Sequence, residues 1–151
     1  MPTAEIKETI PASAEAVFAL LHDYKRRLEW DTLLQEAYLE PEFEKSAKGA
    51  ISVCRGRRIL GGFAVRTEYV SFEPGKVAAV RMLNHPPFFA SFAASIRHLK
   101  INDVHSEVIY KVNFTARPKW LRWILNPLMR AVFVWETRKR LRALKTFFNR
   151  N

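Results

Sequence analysis

Between positions 33 and 116 the chain is written almost entirely as strand. Six runs, "LLQEAYLE" (33–40), "AISVCRGR" (50–57), "FAVRTEYVSF" (63–72), "KVAAVRML" (76–83), "FFASFAASIRHLKI" (88–101) and "HSEVIYKVNFTA" (105–116), read as strands. Turn chemistry separates the later ones: "EPGK" at 73–76, "NHPPF" at 84–88 and "NDVH" at 102–105. Connections this short join antiparallel neighbours, because a parallel pair needs a crossover of a dozen or more residues. The chain is therefore committed to an antiparallel sheet.

That sheet has one greasy side. Val108, Tyr110, Val112 and Phe114 share a face, while His105, Glu107, Lys111 and Asn113 share the other with Ile109. Phe63, Val65, Thr67 and Tyr69 oppose Arg66 and Glu68 in the same way. A single apolar face needs a cover, and the flanking segments supply candidates. "AEIKETI" spaces Ile6 and Ile10 as a half-buried strand, and Pro11 ends it. Ser13 can then cap a helix carrying Val17, Phe18, Leu20 and Leu21, with Glu15 in its first turn. Ala16 at the third position leaves the capping box incomplete. "YKRRLEWDT" reads as a second short helical piece.

At the other end Asn126 and Pro127 suggest a helix start, asparagine as the cap and proline at the first helical position, with helix running to about Phe148. Phe133, Thr137, Leu141, Leu144 and Phe148 form one stripe of that helix. Leu128 and Val132 fall roughly half a turn from it at about 100° per residue. A strongly curved sheet wrapped around the helix, or a second apolar environment, would account for the offset. The order is strand, two helices, six strands, long helix, an α+β arrangement read as one domain over 1–151.

Composition narrows the setting. With 48% hydrophobic and 13% aromatic residues the chain can build a core. Its single cysteine, Cys54, excludes an intramolecular disulfide and a cysteine-rich zinc site. No secretory signal is visible, and the most apolar stretch, 120–135, is cut by Arg122, Arg130 and Pro127, so it is a poor membrane span. A cytoplasmic location is expected. The net charge of +10 is concentrated at one end: from Arg117 onward ten basic residues face the single acid Glu136. An anionic partner would meet the chain there.

Two segments together resemble a known family. "IPASAEAVFALLHDYKRRLEWD", with Pro11, Val17, Phe18, Asp23, Arg27, Trp30 and Asp31, and the closing "RPKWLRWILNPLMRAVFVWETRKRLRALKTFF" are similar to the START-like (SRPBCC) superfamily of polyketide cyclase/dehydrase and lipid-transport-like proteins. The resemblance covers essentially the whole chain. It implies a helix-grip fold, a curved seven-stranded antiparallel sheet wrapped around a long C-terminal helix, with two short helices after the first strand and an apolar cavity between sheet and helix. It leaves the chemistry open, because the superfamily includes carriers, cyclases, hydratases and receptors.

For such a cavity the candidate lining residues are Tyr69, Met82, Phe92, Tyr110, Phe114, Leu128 and Val132. An enzyme would need an acid or base there, and His85, His98 and Tyr110 are the candidates; His105 sits on the outward face and His22 near a helix end. No metal or other cofactor is expected: the histidines lack i, i+4 pairing, "RGRRILGG" lacks the lysine and hydroxyl of a phosphate loop, and no nucleophile elbow occurs. Trp120 and Trp123, interleaved with Arg117, Lys119 and Arg122, suit either a lid or a lipid headgroup boundary, or they cap the core. Nucleic acid is a poorer match for the charge, since no binding motif accompanies it. Three readings remain: a carrier or binder of a hydrophobic small molecule or lipid, with an anionic membrane surface as a possible partner; a polyketide cyclase or dehydratase; and a protein-interaction module docking through the basic helix.

Overall fold

The computed structural model describes residues 3–57 and 62–150. Its strands are β1 (Thr3–Ile10), β2 (Leu34–Leu39), β3 (Ile51–Gly56), β4 (Ala64–Glu73), β5 (Val77–Met82), β6 (Phe89–Asn102) and β7 (His105–Ala116). The helices are α1 (Ala14–Leu21) and α2 (Arg122–Arg150). Within "RGRRILGG", positions 58–61 lie outside the described residues.

All seven strands form one antiparallel sheet in the order β1-β7-β6-β5-β4-β3-β2. The tight turns make β2 to β7 a meander. β1 is the exception and joins the far edge beside β7, so α1 and the segment after it cross the width of the sheet to reach β2. Register shifts between Tyr69 and Ser71 and between Phe89 and Ser91 mark bulges, which bend and twist their strands and help curl the sheet.

The helix starts follow different local chemistry. Ser13 caps α1 as its position predicts, accepting from the Ala16 N–H at 3.2 Å. Val17, Phe18, Leu20 and Leu21 are all buried. The second short helical piece is a single 3-10 turn, Arg27–Glu29. α2 corrects the sequence reading: it begins at Arg122, after a 3-10 turn over Lys119–Leu121, and Pro127 lies inside it. Asn126 is no cap, because its side-chain oxygen accepts from the Ala116 N–H at 3.3 Å and ties the helix to the end of β7.

The concave face holds the core. Leu141 and Leu144 of α2 pack with Ile6, Ile10, Val108 and Val112, joined by Val17 and Leu21 of α1. Burying each such side chain contributes about 1.5–3 kcal/mol. α2 lies mainly along β1 and β7, and α1 against β6 and β7. Neither helix fills the hollow in front of β4 and β5.

Candidate functional site

That hollow is a cavity of about 470 Å³. Its sheet wall is formed chiefly by Val65, Thr67, Tyr69, Val80, Met82, Phe92, Ala94, Ile96, Tyr110 and Val112 of β4 to β7, with Phe63 just before β4, and Leu34, Cys54 and Gly56 extend it onto β2 and β3. α2 supplies the opposite wall with Leu125, Leu128, Met129, Val132 and Phe133. Exposure along this helix gives the cavity a direction. Leu128 and Val132 are 57% and 46% exposed, whereas Thr137 and Arg140, further along the same wall, are 2% and 8% exposed. The mouth is therefore near the start of α2 and the closed end about Arg140. Phe88, a lining residue with φ of 73°, is 50% exposed.

The closed end is polar. Tyr69 hydroxyl meets His22 Nδ1 at 2.7 Å and the Tyr24 hydroxyl at 3.1 Å. Beside them Asp31 accepts from Arg27 Nε at 2.8 Å and from Arg140 Nη2 at 2.9 Å. The Arg140 guanidinium also lies 5.5 Å above the Tyr110 ring, and Arg27 lies 5.1 Å from that of Trp30. Arg27, Trp30 and Asp31 of the opening motif thus anchor the 3-10 turn to α2.

Burial sets the ionisation of this cluster. Burial alone would raise the Asp31 carboxyl, but Arg140 and Arg27 overcome it and hold the group below its ordinary value. Burial, helped by Arg27 and His98, holds His22 well below the usual histidine range, and burial also pushes up the Tyr69, Tyr24 and Cys54 protons. At neutral pH the imidazole, phenols and thiol are therefore uncharged. In these forms they can offer hydrogen bonds to a ligand.

The candidate residues divide accordingly. Tyr69, Met82, Phe92, Tyr110, Leu128 and Val132 line the cavity. Phe114 faces inward too, but it is fully buried against Phe133, with ring centroids 5.2 Å apart, and does not reach the space. His85 is exposed on the loop before β6, where its backbone carbonyl accepts from Arg117 Nη2 at 2.7 Å. His98 lies beneath α1, its ring 5.1 Å from Phe18, and is not part of the lining. The three acid-base candidates do not converge. Trp120 and Trp123 are 73% and 76% exposed, which removes the reading that they cap the core. Among the described residues no group of three or more potential metal ligands gathers, and no helix is long and apolar enough to cross a membrane.

The sequence reading missed His22, Tyr24, Arg27 and Arg140 as parts of this site. Two signals were present. Arg27 and Asp31 stand four residues apart, and Arg140 interrupts the buried positions Thr137, Leu141 and Leu144 with a cation.

The buried histidines carry a pH signature. Burial pushes His98 down to about 4, and His22 is lowered as well. Unfolded, both titrate near 6.5. Below that pH the unfolded chain binds protons that the folded chain refuses, so stability is complete above about 6.5 and declines toward about 4. The urea midpoint is expected to fall between pH 7.5 and 5, and His98→Leu should flatten part of that slope. A midpoint indifferent to pH over this window would contradict the buried neutral state.

Comparison with known proteins agrees with the geometry. The family model described as polyketide cyclase/dehydrase and lipid transport matches residues 1–148. A START superfamily protein from Mycobacterium smegmatis superimposes with a TM-score of 0.81 at 9% identity, covering 99% of each chain. The Zhui aromatase/cyclase from a Streptomyces species superimposes with a TM-score of 0.82 at 14% identity, over 98% of this chain and 93% of that one. These likenesses establish a shared helix-grip fold. No curated protein matches the sequence.

Proposed function

Since the chain belongs to the polyketide cyclase/dehydrase and lipid transport family, we propose that it binds and carries a hydrophobic small molecule or lipid between sheet and helix. The supporting observation is the cavity itself, about 470 Å³ with predominantly apolar walls and an open mouth. Such a volume suits a small ligand. Tyr69, Met82, Phe92, Tyr110, Leu128 and Val132 contact it. Binding is favoured over cyclase or dehydratase chemistry because the acid-base candidates His85, His98 and Tyr110 do not converge: only Tyr110 lines the cavity, while His85 is exposed on a loop and His98 lies beneath α1. Titration with the neutral fluorophore N-phenylnaphthylamine tests this reading. Saturable, blue-shifted emission at one probe per chain is expected, and no uptake would overturn it.

Delivery at an anionic membrane surface extends the proposal. Trp120, Trp123 and Ile124 are exposed at spacings of three and four residues, and Leu128, one turn on, borders the mouth. Lys119 and Arg122 stand among them. Indole rings beside cations match a headgroup region, and the mouth would open directly onto lipid. The double variant Trp120→Ala/Trp123→Ala should bind phosphatidylserine vesicles about tenfold or more weakly in co-sedimentation, since each lost indole removes buried apolar area. Unchanged sedimentation would end the membrane reading and leave the cavity reading intact.

A further inference from the structure

The charged groups at the closed end do not balance. Arg27 and Arg140 both line the cavity and both lean on the single carboxylate of Asp31. Glu136, the acid among the lining residues, pairs outside the cluster with the exposed Lys139 at 3.6 Å. The buried hydrogen-bonded cluster of Arg27, Asp31 and Arg140 therefore comprises two cations and one anion. One positive charge is left over, in surroundings where a charge is costly unless paired and hydrogen-bonded.

The hydrogen bonds show the same surplus. Arg140 uses Nε and Nη2 on Asp31, while its Nη1 meets no acceptor among the described residues. Arg27 uses Nε on Asp31 and Nη1 on the Leu21 carbonyl, and its Nη2 likewise meets none. Both side chains are more than nine-tenths buried, at 6% and 9% side-chain exposure. Asp31 cannot serve them further, because it also accepts from the Leu33 N–H at 3.0 Å. The open space toward which these donors can turn is the cavity.

We infer that the closed end of the cavity receives the anionic head of an amphipathic ligand, a carboxylate paired with Arg27 and Arg140, while its apolar tail lies toward the mouth. The inference rests on the ligand-binding reading and specifies its ligand class. A carboxylate supplies both missing terms, since it cancels the surplus charge and accepts from a guanidinium in charge-assisted bonds. Tyr110 stays beneath Arg140 and fixes the plane of that guanidinium. The tail is then sheathed by Val80, Phe92, Val132 and Phe133.

Dodecanoate and dodecanol, the same chain with charged and neutral heads, test the assignment by displacement of N-phenylnaphthylamine at neutral pH. Wild type is expected to prefer dodecanoate at least tenfold. Arg140→Met leaves the Arg27–Asp31 pair balanced and should abolish that preference, whereas Arg138→Met and Arg142→Met, which remove exposed cations from the same helix, should keep it. Should Arg140→Met fail to fold, the carboxyl resonance of carbon-13 dodecanoate bound to wild type serves instead. It should titrate below its free value, and a raised value would overturn the inference. Equal displacement by both compounds would also overturn it while leaving the cavity reading in place. Failure of both to bind would remove the cavity reading and the inference together.

Discussion

Asp31→Asn should lower stability by about 3–5 kcal/mol, because it leaves two buried guanidiniums with no carboxylate between them. Domains have only about 5–15 kcal/mol in total, so the loss is a large fraction. At roughly 2–4 °C per kcal/mol for a chain of this size, thermal unfolding followed by circular dichroism should shift down by about 6–20 °C. The side chains are nearly isosteric, which confines the change to charge and hydrogen bonding. The triple variant Arg27→Met/Asp31→Leu/Arg140→Met removes the whole network and should lose much less, since it strands no charge. Acid acts on the same residue. The folded Asp31 carboxyl lies below its unfolded value, so its contribution is present above about pH 4 and is lost as pH falls through the folded value. A melting point within a degree of wild type for Asp31→Asn would show that the network does not hold α2 to the 3-10 turn.

Val80→Trp should abolish N-phenylnaphthylamine uptake, with affinity down at least tenfold, and leave the melting point unchanged or higher. Val80 faces the cavity from β5, opposite Ala94 on β6, a small side chain that leaves the centre of the sheet wall open. An indole placed there occupies ligand space. Packing into a real void tends to stabilise, whereas the same enlargement in a filled core costs about 1–3 kcal/mol. The two readouts therefore separate a cavity from a core. Lost binding with retained stability is the expected pair; retained binding would place the ligand elsewhere.

The strands were legible because a period of two assigns each residue to a face. Val108, Val112 and Phe114 are buried as the alternation requires, and Phe63, Val65, Thr67 and Tyr69 all face the cavity. The pattern does not reveal which inward residues meet open space. His98 and Phe114 face inward correctly, but Phe18 of α1 packs on one and Phe133 of α2 on the other. That outcome depends on where two helices come to rest. The start of α2 was misplaced for a local reason: Asn126 followed by Pro127 imitates a cap, while the asparagine is used to bind β7. The offset of Leu128 and Val132 from the main stripe was a better clue, since those residues form the helix wall of the mouth. The polar end was hidden by distance along the chain. Its members come from residues 22–31, 69, 110 and 140, and a single sequence does not show that Asp31 and Arg140, 109 positions apart, share hydrogen bonds.

Native mass spectrometry of freshly purified protein, followed by extraction and identification of any adduct, tests the central claim most directly. The cavity account expects a reproducible hydrophobic adduct at one per chain, absent from Val80→Trp and carrying an acidic head. A clean ligand-free mass that stays unchanged after incubation with dodecanoate, dodecanol and N-phenylnaphthylamine would contradict it.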